Sequence, residues 1–161
     1  MNARAQMSPS TAPVVREIQV GAPPAQVFRV FTEQFDAWWP RSHHIAASAM
    51  KRAVLECRVG GRWYEIGEDG SECNWGKVLV WEPPKRLVLA WQISGEWKYD
   101  PALITEVEVN FISQGPNATQ VVLEHRNLDR FGAAADAVRS AIDGNMGWPG
   151  ILEALAKVAA A

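Results

Sequence analysis

Between residues 54 and 126 the sequence repeats one pattern, in which a short run of strand-forming residues ends at a turn signal. The runs lie at 54–59, 62–66, 74–81, 86–94, 105–113 and 119–126. The turn signals include Gly60-Gly61, Asp69-Gly70, Pro83-Pro84 and Gly115-Pro116-Asn117. Strands joined by such short connections pair with their neighbours along the chain. The pattern therefore predicts a meander of six antiparallel strands, and this prediction limits the possible folds more than any other feature.

One further strand and two short helices precede the meander. Val14–Val20 is rich in β-branched residues and predicts a strand. A Pro-Pro pair then opens an amphipathic helix at about 24–31. Thr32 is expected to cap a second short helix that runs through Trp38-Trp39, and the aperiodic residues 41–52 predict a loop. The first strand should complete a seven-stranded sheet.

The end of the sequence is helical. Apolar residues recur at helical spacing in 131–142 and again in 146–160. The stretch DGNMGWPG, which starts at Asp143, interrupts the pattern with three glycines and a proline. The spacing predicts either two helices or one helix with a sharp break.

These elements predict an α+β fold, in which a curved seven-stranded antiparallel sheet wraps around a long C-terminal helix. Two short helices lie between strands 1 and 2. A curved sheet has one apolar face to cover, and the C-terminal helix is the element with the apolar stripe to cover it. Such a sheet leaves a space beneath the helix, where small apolar molecules can bind. We expect residues 14–161 to form a single domain and residues 1–13 to form a flexible tail.

Composition excludes several classes of function. The net charge of −2 gives no basic excess for nucleic-acid binding. Cys57 and Cys73, the only cysteines, are not in a zinc motif, and no phosphate-binding loop or dinucleotide fingerprint occurs. We therefore expect no metal and no cofactor. No signal peptide and no membrane span is evident, so we expect a cytoplasmic protein.

Several segments resemble a known superfamily when they are read in order. The most specific are Gly60-Gly61-Arg62-Trp63, the Pro83-Pro84-x-Arg86-Leu87 turn with Trp91, and Gly147-Trp148 with Leu152 and Leu155. They resemble the SRPBCC superfamily, with its START-like and birch-allergen-like helix-grip fold. Within it, the sequence is most similar to homologues of the C-terminal domain of the heat-shock protein 90 ATPase activator. The resemblance covers about residues 14–160.

The resemblance implies the helix-grip fold and a cavity that binds lipids, sterols, polyketides or other hydrophobic molecules. The heat-shock protein activator itself has an additional N-terminal domain, for which this sequence has no room. We therefore do not carry chaperone activation over to it. A chaperone partner and a homodimer stay open as alternatives.

Eight tryptophans against two tyrosines indicate a core or cavity with aromatic walls. The candidate ligand-binding residues are Trp39, Trp63, Trp75, Trp91, Phe111, His125 and Trp148. Trp97 is a further candidate for the wall, and Trp38-Trp39 for the mouth. The alternative is a fully packed core with no cavity. For residues 62–66 the alternation does not decide which side chains face inward, although the resemblance favours Trp63.

Polar candidates are few. His125 lies on the apolar face of its strand, either as a polar anchor for a ligand or as a core histidine satisfied by its neighbours. Charges flanking Gly60-Gly61, among them Arg62 and Glu65, form either an ion pair inside the cavity or a solvated face. His43-His44 is expected in a solvated loop. No catalytic residue is identified.

These observations favour a noncatalytic protein that binds a small hydrophobic molecule. The first alternative is a cavity enzyme of cyclase, dehydratase or hydrolase type, with His125 or a hairpin carboxylate as general acid or base. The second is a co-chaperone-like interaction module with a closed interior. In that case Trp38, Trp39 and Trp97 would be surface anchors.

Overall fold

The computed structural model describes residues 11–161, and most of the predicted tail, residues 1–10, lies outside them. The strands are β1 (Val14–Val20), β2 (Met50–Leu55), β3 (Arg62–Gly67), β4 (Glu72–Glu82), β5 (Arg86–Trp91), β6 (Thr105–Ser113) and β7 (Thr119–Arg126). The helices are α1 (Pro24–Thr32), α2 (Phe35–Trp38), α3 (Ala135–Asp143) and α4 (Trp148–Ala159), and a 3-10 segment, Leu128–Ala134, precedes α3. No helix among residues 11–161 is long and apolar enough to cross a membrane.

The seven strands form one antiparallel sheet in the order β1-β7-β6-β5-β4-β3-β2. The predicted meander from β2 to β7 is confirmed, and so is the seven-stranded sheet that β1 completes. The structure places β1 beside β7. The helix-grip architecture of a curled sheet around a bent C-terminal helical segment is likewise confirmed. β1, β6 and β7 have the predicted bounds.

Alternation along β6 separates a buried face from a charged one. Val107, Val109 and Phe111 are buried, whereas the residues between them face outward. On the outer face Arg126 pairs with Glu108 at 2.6 Å, and Arg86 donates to the same carboxylate at 2.9 Å. The hydrogen bond from Arg86 is the largest cause that lowers the pKa of Glu108, to about 2. The sheet therefore has one solvated face and one face that a helix must cover.

The strands β2 and β5 differ most from the sequence prediction, whereas β3 and β4 extend only one or two residues beyond their predicted ends. β2 begins at Met50, inside the expected loop, and it ends at Leu55. A six-residue loop follows, in which the Glu56 carboxylate accepts a hydrogen bond from the Arg62 amide at 2.7 Å, so Gly60-Gly61 is not a two-residue hairpin turn. β5 ends at Trp91 instead of residue 94, because the chain beyond it leaves the β5–β6 ladder to pair locally.

The helical boundaries also need correction. Thr32 does not cap α2, because it is the last residue of α1 and its hydroxyl donates to the Phe28 carbonyl at 2.7 Å. The helix predicted at 131–142 is a 3-10 segment followed by α3, because Gly132 has a non-helical conformation with φ of 60°. The break between the last two helices is confirmed, and α4 begins at Trp148.

Gly76 allows two tryptophans on flanking strands to touch. It pairs with Trp63 of β3 and with Trp91 of β5, and it follows a β-bulge at Trp75. The rings of Trp63 and Trp91 lie 5.8 Å apart in an edge-to-face contact. A Cβ atom at position 76 would lie 1.7 Å from the Ala90 carbonyl oxygen. No side chain fits there unless the backbone of β5 moves.

We expect the substitution Gly76→Ala to lower the free energy of unfolding by about 1–3 kcal/mol, the usual cost of overpacking. The reason is that the added methyl group meets backbone atoms, which cannot rotate away. Urea unfolding followed by circular dichroism measures the change. Gly21→Ala is the matched control, because its nearest neighbour is 4.0 Å away. Equal stabilities for the two variants would contradict the packing argument.

Candidate functional site

A cavity of about 270 Å³ lies between the β4–β5 end of the sheet and the bend between α3 and α4. Four buried tryptophans contribute to its wall, namely Trp39, Trp75, Trp91 and Trp148, and the exposed Trp97 lines it as well. Ile142, Ile151, Ala141 and Gly147 line it from the helices, and Ile93 lines it from the segment after β5. The volume exceeds the roughly 150 Å³ that holds a benzene ring, and it lies near the lower end of small-molecule sites. The interior is therefore not closed, and it suits a small apolar molecule.

Four of the seven predicted ligand-binding residues line this cavity, namely those four tryptophans. Three do not. Trp63 is 1% exposed and packs behind the wall against Trp75 and Trp91. Phe111 packs instead on α1, with its ring centroid 5.1 Å from that of Phe28. His125 lies behind Trp91 and Trp148.

The mouth of the cavity is formed by residues that the sequence analysis did not identify as lining. Ser42, His43, His44 and Ile45 come from the loop before β2, and Met146 comes from the α3–α4 connection. A hydrogen bond of 2.6 Å joins His43 Nε2 to the Met146 carbonyl oxygen across the mouth. No periodic signal marks this loop, so its place at the cavity could not be read from the sequence.

Of the three tryptophans that the interaction-module alternative places on the surface, two are buried and one is exposed. Trp38 and Trp39 are buried, with 3% and 6% of their surface exposed, so the anchor interpretation is wrong for both. Trp38 donates to the carbonyls of α1 and does not line the cavity. Trp97 is 41% exposed and lies at the cavity edge.

His125 is a core histidine with both ring nitrogens engaged. Trp148 Nε1 can only donate, so its 3.1 Å contact makes His125 Nδ1 the acceptor. The proton of the neutral ring then lies on Nε2, which donates to Thr105 Oγ1 at 2.8 Å. The Thr105 hydroxyl in turn donates to the Trp91 carbonyl. Burial lowers the pKa of His125 to about 3, so the ring is neutral at physiological pH.

Residues 62–66 place Trp63 and Glu65 inward, as the resemblance favoured. The Glu65 carboxylate is fully buried and accepts hydrogen bonds of 2.8 Å from the Ile45 amide and from Trp75 Nε1. Arg62 lies on the outer face, where it pairs with Glu72 and stacks on Tyr64. The interpretation of these charges as an ion pair inside the cavity is therefore wrong. Glu65 instead holds the loop before β2 and the Trp75 ring in place through its two hydrogen bonds.

Most buried indole N–H groups around the cavity have acceptors. Those of Trp39, Trp75 and Trp148 donate to the His43 carbonyl, to Glu65 and to His125. Those of Trp63 and Trp91 have no acceptor among the described residues. Leaving such a group unpaired costs about 1–3 kcal/mol.

The chemistry open to this site is limited by what lines it. Among residues 11–161 no three His, Cys, Asp or Glu side chains lie close enough to hold a metal ion. The titratable side chains of the lining are His43 and His44, both at the mouth. The deeper wall is aromatic and aliphatic, so it can bind by apolar contact and ring stacking.

The buried histidine makes stability depend on pH. An unfolded histidine takes up a proton near pH 6.5, whereas folded His125 stays neutral down to about pH 3. Between these values the unfolded state binds more protons, so the free energy of unfolding falls as the pH falls. We expect a contribution of up to about 1.4 kcal/mol per pH unit below pH 6.5. Urea unfolding at about pH 7, 6 and 5 measures it.

The variant His125→Gln supplies the control for this slope. It removes the titrating group but keeps side-chain atoms able to accept from Trp148 and to donate to Thr105. His43 and His44 are present in both proteins, so the difference in slope isolates His125. An unchanged slope in the variant would show that His125 is not the group responsible.

Comparison with known proteins places the chain in a family. None of the curated proteins matches the sequence. The chain is 36% identical to the anthrahydroquino-γ-pyrone synthase Txn09, over 94% of this chain and 99% of that one, with a TM-score of 0.66. It is 31% identical to CalC, a self-sacrificing resistance protein from Micromonospora echinospora, over 93% of this chain and 95% of that one, with a TM-score of 0.70.

A protein from Mesorhizobium loti shares the fold, with 22% identity over 91% of this chain and 96% of that one and a TM-score of 0.65. The profile of the family described as activator of Hsp90 ATPase homolog 1-like protein matches residues 21–160. This match covers nearly all of the described residues, including the strands and the C-terminal helices that enclose the cavity. The chain therefore belongs to the activator of Hsp90 ATPase homolog 1-like family, within the SRPBCC superfamily.

Proposed function

We propose that this protein binds a small, flat hydrophobic molecule in the cavity between the sheet and the C-terminal helices. The observation that carries the proposal is the cavity of about 270 Å³ with four tryptophans in its wall. Apolar burial supplies affinity at roughly 25 cal/mol per Å² before ordering costs are subtracted. Tryptophan rings favour flat partners, because offset and edge-to-face ring contacts add to that burial.

Two of the similar solved proteins are consistent with a ligand of this class. One is named as a synthase of an anthrahydroquino-γ-pyrone, which is a flat ring system. The other is named as a self-sacrificing resistance protein. Both similarities extend over more than nine-tenths of this chain.

The first measurement is native mass spectrometry of freshly purified protein, followed by organic extraction. We expect a co-purified hydrophobic molecule, and its mass would name the chemical class. Where the purified protein is empty, a titration with fluorene, a flat three-ring hydrocarbon, tests the cavity directly. Quenching of tryptophan fluorescence reports binding, because four of the rings form the wall.

We expect Ile151→Phe to weaken fluorene binding by roughly tenfold or more, because the larger side chain occupies the cavity that Ile151 lines. Ile112→Phe is the matched control, since Ile112 is 43% exposed and lies on β6 away from the cavity. Equal fluorene affinities in both variants would show that the ligand binds elsewhere, and no binding to the unaltered protein would reject the proposal.

A cavity enzyme of cyclase, dehydratase or hydrolase type is the second candidate, and the synthase among the similar proteins favours it. His125 cannot serve as its acid or base, because it does not line the cavity and both ring nitrogens are engaged. The groups that line the cavity and can exchange protons are His43 and His44.

The substitution His43→Gln separates the two candidates. For an enzyme that uses this histidine, turnover of the extracted ligand falls by roughly 10²-fold or more, while the dissociation constant changes little. For a noncatalytic binder, neither protein converts the ligand. Mass spectrometry of the ligand after incubation distinguishes the outcomes, and His44→Gln tests the second histidine in the same way.

A further inference from the structure

Trp97 differs from the other seven tryptophans of the chain. It lines the cavity at its edge and is 41% exposed. Each of the other tryptophans contacts at least one further aromatic ring, whereas the ring of Trp97 has no such contact among residues 11–161. Because aromatic rings gain energy from a ring partner, Trp97 offers the cavity a stacking surface that the protein itself does not use.

The backbone at Trp97 has a conformation that few residues adopt. Its φ of 60° lies in the left-handed region, which is disfavoured for large side chains. The other non-glycine residue with positive φ in the described part of the chain is Asn127, a residue type that tolerates this region. Strain of this kind is concentrated at binding and catalytic sites. A glycine would fit this backbone without strain, so the strain supports a role for the tryptophan ring beyond folding.

A tight turn fixes the place of Trp97 at the cavity edge. The Trp97 amide donates to the Ser94 carbonyl at 2.9 Å, and the Ser94 amide donates to the Lys98 carbonyl at 2.8 Å. At Gly95 the turn packs on the 3-10 segment before α3, since a Cβ atom there would lie 2.5 Å from the Cβ atom of Ala134. The strained backbone is therefore held both by the turn itself and by the neighbouring 3-10 segment.

We propose that Trp97 is a ligand-binding residue whose ring stacks on the bound molecule, so that the site prefers an aromatic ring system to a saturated one. This inference rests on the proposed function, since it concerns the same cavity. The buried tryptophans of the wall already contact one another in pairs, Trp39 with Trp75 and Trp91 with Trp148, whereas Trp97 gains its first ring partner from the ligand. Apolar burial scales with area and does not distinguish aromatic from saturated carbon, but ring stacking does.

Fluorene and perhydrofluorene form a matched pair of probes, because they share one three-ring carbon frame and only fluorene is aromatic. Fluorene binding is followed by tryptophan fluorescence, and perhydrofluorene binding is measured by displacement of fluorene. The quantity compared is the ratio of their dissociation constants, perhydrofluorene over fluorene. Taking the ratio within each protein removes general effects of a substitution on the cavity. Comparing the ratio between proteins removes the difference in hydration of the two probes.

Trp97→Leu keeps an apolar side chain but removes the ring. We expect the ratio to fall by roughly fivefold in this variant, the usual contribution of one aromatic contact. Trp97→Phe keeps a ring, so its ratio should fall by less than about twofold. Both replacements have a Cβ atom and keep the strained backbone, so the difference between them reports the ring.

Trp81→Leu is the matched control at a second tryptophan. The Trp81 ring packs on Phe28 of α1, with ring centroids 5.2 Å apart, and it does not line the cavity. In this variant the ratio should equal that of the unaltered protein. An equal fall in Trp81→Leu and Trp97→Leu would reject the assignment to Trp97.

A second measurement needs no variant. N-bromosuccinimide oxidises accessible tryptophan rings, and mass spectrometry of peptides identifies the oxidised residue. We expect Trp97 to react before the buried tryptophans in the empty protein, because it is the exposed one. Saturating fluorene should then protect Trp97 from oxidation and leave the reaction of Trp81 unchanged. This result would support the proposal even if Trp97→Leu failed to fold.

The outcomes separate the two proposals. If both probes bind but the ratio is the same in the unaltered protein and in Trp97→Leu, stacking on Trp97 is rejected and the hydrophobic cavity stands. The same conclusion follows if bound fluorene leaves the oxidation of Trp97 unchanged. If neither probe binds to the unaltered protein, the proposed function is rejected and this inference with it.

Discussion

The hydrogen bond from Trp148 to His125 fixes the position at which the C-terminal helix α4 meets the sheet. Trp148 is the first residue of α4, and His125 lies near the end of β7, so this 3.1 Å contact ties the closing helix to the sheet at one point. From there the chain of donors continues through Thr105 to the backbone of Trp91 on β5. One chain of buried hydrogen bonds thereby connects β5, β6 and β7 with α4. The angle between α4 and the sheet at this contact determines how much space remains under the helix.

That space exists at one end of the sheet because the other end is filled by the two short helices. Phe28 and Phe31 of α1 meet Phe111 of β6 through ring contacts of 5.1 and 5.8 Å. Beyond α2 the chain enters the loop before β2, which contributes one aromatic ring, Trp39, and otherwise only the rim of the cavity. The helices α1 and α2 therefore divide the sheet into a packed half and a half that can accept a ligand.

The sequence was sufficient for the order of the six meander strands and for the aromatic character of the site, because both follow from alternation, turn signals and composition. It was insufficient where structure depends on atoms brought together by folding. His125 illustrates the difference: alternation placed it on the buried face, but only the positions of Trp148 and Thr105 show that both ring nitrogens are satisfied. Phe111 was assigned to the cavity because its strand faces inward, yet that face spans both halves of the sheet. The mouth loop has no periodicity, so nothing in its residues indicated that His43 would meet Met146 across the cavity.

The same hydrogen bonds that close the fold also keep the cavity open. A tryptophan ring could rotate into an empty space of this size, but the rings of Trp39, Trp75 and Trp148 are each held by an indole N–H bond to a fixed acceptor. The acceptor for Trp75 is a buried carboxylate that also holds the mouth loop, so collapse of the wall would leave a charge without its donors. A wall held in this way pays little conformational entropy when a flat molecule enters, and such preorganisation raises affinity without adding contacts.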